Sequence, residues 1–370
     1  MSGRATVQDL LGDDNAPVFR SAPIWLLLSD LWMVMTKVIP HFFNIFLPLP
    51  SRRNSFSDIT VTGFLFQIIL TAWSILLLVP LLLLGIVMGG ITPLLVAYTT
   101  ALPFIWIQGG PLVRIPARDS TVRDSSRRRT SNESWVFING ICTSRSGVEL
   151  IVKRLETLFQ RPIVGILNTT LGPIADLLEC VIQRDVNFAT QSVRIGYKEV
   201  KKRLQDKKIE KVVLICHSQG GIITSVILDQ LLDDLPRDEI GKLEVYTFAN
   251  AANHFSNPAL VSTSTLVTNT IRHIEHYANG KDPVSEIGVL AFTPTNSGQQ
   301  GNSGPEKPSD TPQTFSSPGF RFKGRLFVRW KMSGHLLLSH YLGASSILNT
   351  PEARRFSRLR MYIGGASPSD

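Results

Sequence analysis

The chain is short of charge in one long stretch and short of cysteine throughout. Residues 59–113 contain no Asp, Glu, Lys or Arg. A helix in water needs a polar face, so this absence excludes an ordinary solvent-exposed helical hairpin. Only three cysteines occur, Cys142, Cys180 and Cys216. So few exclude a disulfide framework and suit a reducing, cytosolic setting. There is no zinc-finger spacing, no aromatic RNA-binding motif and no Gly-rich phosphate loop. These absences argue against a metal site, a nucleic-acid partner and a nucleotide cofactor. Acidic residues are the minority, 29 Asp and Glu against 38 Lys and Arg, for a formal net charge of +9. The excess gathers at Arg114, Arg118, Arg123, Arg127, Arg128 and Arg129, and again at Arg354, Arg355, Arg358 and Arg360. Anionic lipid headgroups are a fitting counterpart for such clusters.

What fills the uncharged stretch is a strong apolar span over residues 64–88 and a weaker one over 91–107, which is interrupted by Pro93 and Pro103. The first exceeds the ~20 residues of one bilayer crossing. Gly89-Gly90 reads as the turn between them. The segment lies too far from Met1, and is too long, for the core of a signal peptide. Arg52 and Arg53 precede it and the Arg cluster follows it, which predicts that both flanks face the cytosol. Two crossings and a one-leaflet hairpin both satisfy that condition, at the endoplasmic reticulum or a lipid droplet. Residues 25–46 are apolar but carry Asp30, Lys37 and His41. They read as an interfacial helix lying on the membrane.

The domain boundaries follow from these shifts. Residues 1–20 are polar and expected to be disordered, 21–113 form a membrane module, and 114–133 a basic linker. A globular domain spans 134–350, with a disordered Ser/Gly/Pro-rich insertion over 292–319. Residues 351–370 form a basic C-terminal tail. In the globular part, strand patterns at 135–138, 163–167, 212–216, 243–248, 271–277 and 325–330 alternate with helical patterns at 148–159, 171–181, 190–205, 220–235 and 334–348. That alternation predicts an α/β fold, a mostly parallel sheet with helices on both faces.

The most informative motif is Cys216-His217-Ser218-Gln219-Gly220-Gly221. A β-branched apolar strand ends in a Ser flanked by small residues, and a helical pattern starts at once. This spacing predicts a nucleophile elbow, with Cys216 standing where a first Gly is usual. In a hydrolase arrangement an acid and then a base follow the Ser, each just past a strand. Asp282, in Gly280-Lys281-Asp282-Pro283-Val284, is the candidate acid, ahead of Glu286 and Glu275; its bland reading is a turn or N-cap Asp. His335, in Ser333-Gly334-His335, is the candidate base, with His340 as the alternative. His273 and His276 read as structural, His217 is expected to point away from the nucleophile's face, and His254 is a candidate for lining the pocket. The oxyanion donors expected are the amides of Gln219 and Ile141, with Gly140 allowing close approach.

Together these motifs resemble the α/β-hydrolase superfamily of lipase or serine-esterase type. The Asp-Pro-Val after the penultimate strand is similar to the acid loop of fungal class 3 lipases. Asn139-Gly140 departs from the more usual His-Gly of the oxyanion loop. The resemblance covers residues 135–348 apart from the insertion. It implies hydrolysis of a carboxylic ester by Ser218, His335 and Asp282, with no metal or organic cofactor. Joined to the membrane module, it points to a lipid or other hydrophobic ester substrate. The competing expectation is a non-catalytic hydrolase-like scaffold or lipid-binding domain on the membrane.

Overall fold

Lys211–His217 is buried at every position, as a strand must be when helices cover both faces of its sheet. In the computed structural model, which describes residues 5–10, 23–41, 45, 47, 58–260, 268–292 and 321–368, this strand lies inside an eight-stranded sheet. The strands are β1 Thr6–Leu10, β2 Leu112–Arg114, β3 Glu133–Ile138, β4 Ile163–Ile166, β5 Lys211–His217, β6 Leu243–Phe248, a separate small pair β7 Ala259–Leu260 and β8 Thr268–Asn269, then β9 His273–Lys281 and β10 Gly324–Ser333. The sheet order is β1-β10-β9-β6-β5-β3-β4-β2. The central strands from β10 to β4 pair in parallel, and only the edge strands β1 and β2 are antiparallel.

The period-2 alternation of β5 divides the core. Val212, Leu214 and Cys216 pack with Val193, Val200, Ile223 and Ile227 on one face. Val213 and Ile215 pack with Ile151, Leu155, Tyr246 and Tyr277 on the other. The first layer is built by helices Gln191–Leu204 and Gln219–Asp234, and the second by Arg145–Phe159. Each helix buries the apolar stripe that its 3.6-residue period predicts.

Four expectations are corrected. Residues 6–10 are not a disordered terminus but the sheet's edge strand, with Asp9 paired to Arg325 at 2.7 Å; a five-residue strand is too short for its alternation to stand out. Leu112–Arg114 likewise belongs to the sheet, although the sequence places it at the junction of membrane module and linker. The C-terminal tail is part of the fold: Pro351–Phe356 and Arg358–Met361 are short helices, Leu359 and Tyr362 are fully buried, and Arg358 pairs with Glu244 at 2.8 Å. Residues 334–348 are not one long helix but a π turn, Leu337–Tyr341, followed by a 3-10 turn, Ile347–Asn349. Of the insertion expected over 292–319, Phe292 is buried in the core and the rest lies outside the described residues.

N-terminal to the sheet domain, Pro23–Met33 is an α-helix continued by a π turn, Val34–Val38. Asp30, one of the charges that interrupt its apolarity, is spent on Arg184 at an ion-pair distance of 2.7 Å. The helix Val61–Met88 is long and apolar enough to cross a membrane, and Thr92–Ile107 is a shorter apolar helix after the Gly89 turn.

Candidate active site

Loops from four strands meet at the carboxyl edge of the sheet, where ligand sites gather in open α/β folds. β5 delivers Ser218. Its backbone sits at φ 59°, ψ −124°, a conformation that side-chain-bearing residues rarely adopt. The surroundings hold it there. The Ser218 amide donates to the Phe248 carbonyl at 3.0 Å, and the Ser218 carbonyl accepts from the Gly221 amide at 2.9 Å. Small neighbours are a steric requirement: a Cβ on Gly220 would lie 2.5 Å from the Ile138 carbonyl oxygen. Cys216 is tolerated where Gly is usual because its side chain turns into the core, fully buried.

β9 delivers Asp282 and β10 delivers His335. Ser218 Oγ is 3.0 Å from His335 Nε2, and His335 Nδ1 is 3.0 Å and 3.1 Å from the two carboxyl oxygens of Asp282. All three side chains are buried. Asp282 also accepts from the Tyr341 hydroxyl at 2.7 Å and from the Val284 amide at 3.0 Å. The latter bond caps the short helix Pro283–Ile287, so one carboxylate both caps this helix and contacts His335. Burial alone would raise the Asp282 carboxyl. The charge and hydrogen bond of His335, with the Tyr341 and Val284 donors, outweigh it and hold the group below the ordinary carboxylate range.

The loop after β3 brings Gly140 against the elbow. A Cβ there would lie 2.5 Å from Ser218 Cβ and 3.0 Å from Ser218 Oγ, so only Gly allows this approach. Ile141 follows it and lines a cavity shared with Ser218. Gln219 opens its helix, so its amide is among those with no intrahelical acceptor. The next loop amide, that of Cys142, is taken by Asp176 at 2.8 Å. Asp176 also accepts from Thr170 Oγ1 at 2.6 Å and from the Leu171 amide at 2.7 Å. Burial pushes its carboxyl up to about 6, against these donors.

The other candidates lie apart from Ser218. His340 Nδ1 accepts from the Leu336 amide at 3.0 Å, which makes it a cap for the loop that carries His335. His217 packs its ring 4.7 Å from that of His335 and steadies the loop that carries it, because its Nε2–H donates to the His335 carbonyl at 2.8 Å. Burial, then the nearby His335, lowers its pKa to about 3. His254 does not line the pocket; it bonds Asp229 at 2.7 Å and Asn253 at 2.8 Å. His276 bonds Thr247 and the Lys323 carbonyl, and His273 pairs with Glu275. Glu275 accepts from Tyr277, Ser357 and the Arg358 amide, and Glu286 faces Lys37 at 3.6 Å.

Sequence reasoning missed Asp58. It sits just before Val61–Met88, yet its Oδ1 accepts from the Leu338 amide at 2.6 Å in the turn that follows His335. Its Oδ2 is buried with no hydrogen-bond partner. Burial raises its carboxyl to about 7, against the Leu338 and Leu337 amides and the charge of His335. Its only sequence signal is its place as the last acid before the uncharged stretch.

Two cavities flank the triad. A narrow apolar one of about 40 Å³ reaches Ser218 and is walled by Val34, Val38, Leu177, Val181 and Ile222. A second, of about 30 Å³, is bordered by Asp58, His217, His335 and Thr143. Ile45 and Ile141 line both. Among the described residues no cluster of His, Cys, Asp and Glu is arranged to hold a metal ion. Scanned against models of known protein families the chain matches none, and no curated protein matches its sequence.

Proposed function

We propose that the protein is a membrane-anchored serine hydrolase of α/β-hydrolase type that cleaves carboxylic esters of lipids. The observation that carries this reading is the unbroken chain Ser218 Oγ–His335 Nε2 and His335 Nδ1–Asp282, with contacts of 3.0 Å at both links. In this reading His335 takes the Ser218 proton as Oγ attacks the ester carbonyl. The amides of Gln219 and Ile141 stabilise the oxyanion. The tetrahedral intermediate collapses, the alkoxide leaves with the proton from His335, and an acyl-Ser218 remains. Water, deprotonated by His335, then releases the acid and restores the Ser218 hydroxyl. Asp282 holds the imidazole tautomer and favours its cationic form.

The apolar lining of the cavity at Ser218, from Val34, Val38, Leu177, Val181 and Ile222, supports an acyl chain as the group accommodated there. The uncharged helices and the Arg clusters support a membrane as the place of work, with the sheet domain on the cytosolic side of the endoplasmic reticulum or on a lipid droplet. The test is hydrolysis of a long-chain ester in mixed micelles by the purified full chain. Turnover by the wild type that disappears in Ser218→Ala is expected. Equal turnover by both would refute the assignment, and a well-folded wild type with none would favour a scaffold.

A further inference from the structure

The helix Val61–Met88 would span a bilayer if its whole length were available. It is not. Its first half is fastened to the sheet domain: Gly63, Leu70, Trp73 and Ser74 are buried. Thr60 Oγ1 and Ser146 Oγ share a hydrogen bond of 2.8 Å, and Gln67 Nε2 donates to Thr170 Oγ1 at 3.2 Å. Gly172 lies so close that a Cβ on it would be 2.8 Å from Leu70 Cβ. Beyond Ser74 no residue through Met88 is buried. At 1.5 Å per residue, the free part from Ser74 to Met88 measures ~22 Å.

The return helix is tethered as well. Gln108 Nε2 donates to the Thr170 carbonyl at 2.8 Å, and Gln108 Oε1 accepts from the Thr170 amide at 3.1 Å. Trp73 Nε1 donates to Thr100 Oγ1 at 3.3 Å, linking the two legs near the domain. From Thr100 back to Ile91 the return leg offers only ~14 Å. Neither length reaches the ~30 Å of a hydrocarbon core, and the shorter matches about half of it. Two full crossings would draw Thr60, Gln67, Gln108 and the polar domain surface into hydrocarbon, at several kcal/mol for each group left without a partner.

The distribution of side chains agrees. Ile86, Val87, Met88 and Ile91 are exposed at the tip, where there is no charge and no Trp or Tyr. A tip emerging on the far side would meet headgroups, where aromatic and basic residues collect. Among the described residues the exposed tryptophans lie elsewhere, Trp106 at the end of the return leg and Trp25 and Trp32 on Pro23–Met33, while the exposed Tyr98 lies part-way along the return leg. That helix is joined by Asp30 to Arg184 of Pro173–Val186, whose Val186 is exposed beside exposed Phe188.

We infer that the hairpin of residues 61–107 occupies a single lipid leaflet, with Trp25, Trp32 and Trp106 at the headgroup level and both chain flanks on the same side. The inference rests on the membrane part of the proposed function and names its partner: one leaflet, so that a monolayer suffices. The decisive probe is a triolein emulsion coated with a phosphatidylcholine–phosphatidylserine monolayer, set beside bilayer vesicles of the same lipids. The full-length wild type is expected to float with both. Val87→Asp should lower partition into both by about 100-fold, the cost of a central charge in an apolar span. In vesicles, Gly90→Cys should react no more than the wild type with a charged maleimide, whether outside or enclosed. Flotation with vesicles but not with droplets, or modification of the introduced thiol from the enclosed side, would overturn the single-leaflet assignment. So would a soluble oligomer that ignores both lipids, since the hairpins would then cover one another. Fluorophosphonate labelling of the same samples separates the two readings: labelled protein with a tip reached from the far side sinks only the leaflet assignment, and floating protein that never labels sinks only the hydrolase.

Discussion

Two buried aspartates approach the loop of His335 from different parts of the chain, and their environments are opposite. Asp282 comes from the end of β9 and meets His335, Tyr341 and the Val284 amide; its carboxyl is held below the ordinary range. Asp58 comes from the edge of the apolar hairpin and meets the Leu338 amide with one oxygen, leaving the other without a partner; its carboxyl is raised to about 7. Burial is complete for both, so burial does not decide the outcome; the number and charge of the donors do. In the proposed mechanism Asp282 orients the imidazole directly. Asp58 holds the turn on which that imidazole is carried.

The larger loss is expected on the Asp282 side. Asp282→Asn should lower kcat by about 10³–10⁴, because the amide cannot hold the same tautomer. Measured on the same ester, Asp58→Ala should lower kcat by about tenfold with KM unchanged, the scale of one charge-assisted hydrogen bond. Asp58→Asn keeps an acceptor for the Leu338 amide and should recover most of that loss. A tenfold or greater fall in Asp58→Asn as well would show that charge, rather than the hydrogen bond, is what Asp58 supplies.

Stability against pH separates the two carboxyls further, since their signs differ. The folded-state value of Asp58 is raised, so its contribution is full below the ordinary 3.8 and is lost as pH rises towards about 7. Asp58→Asn should therefore gain in Tm over the wild type progressively from pH 4 to pH 7. The Asp282 value is lowered, so its contribution is present above 3.8 and is lost as pH falls through the folded value. Asp282→Asn should lower Tm at neutral pH by a margin that narrows on acidification below pH 4. Thermal melts of both variants across pH 3–8 read the two slopes directly. Parallel slopes would mean that the two carboxyl environments are not opposite.

What was legible from sequence divides along the same line. The elbow, Asp282 and His335 each stand just past a strand whose apolar run is long and continuous, so strand ends could be read and the site residues placed on them. Tyr341 and Asp176 carry no such marker. Their roles depend on a π turn and on a loop after β3 whose Cys142 sits at φ 54°, conformations set by packing. Asp58 was invisible for a different reason: it is fixed to the site by contacts nearly three hundred residues apart in the chain. The edge strand Thr6–Leu10 and the C-terminal helices share that reason, since their partners, Arg325 and Glu244, are also distant in the chain.

The proposed mechanism turns on Ser218 being a nucleophile activated by His335. Reaction of the purified full chain with a fluorophosphonate, followed by peptide mass mapping, tests it most directly. One adduct is predicted, on Ser218, formed at least a hundredfold more slowly in His335→Ala and at near wild-type rate in His340→Ala. An unmodified Ser218 in folded wild type, or equal rates in wild type and His335→Ala, would contradict it.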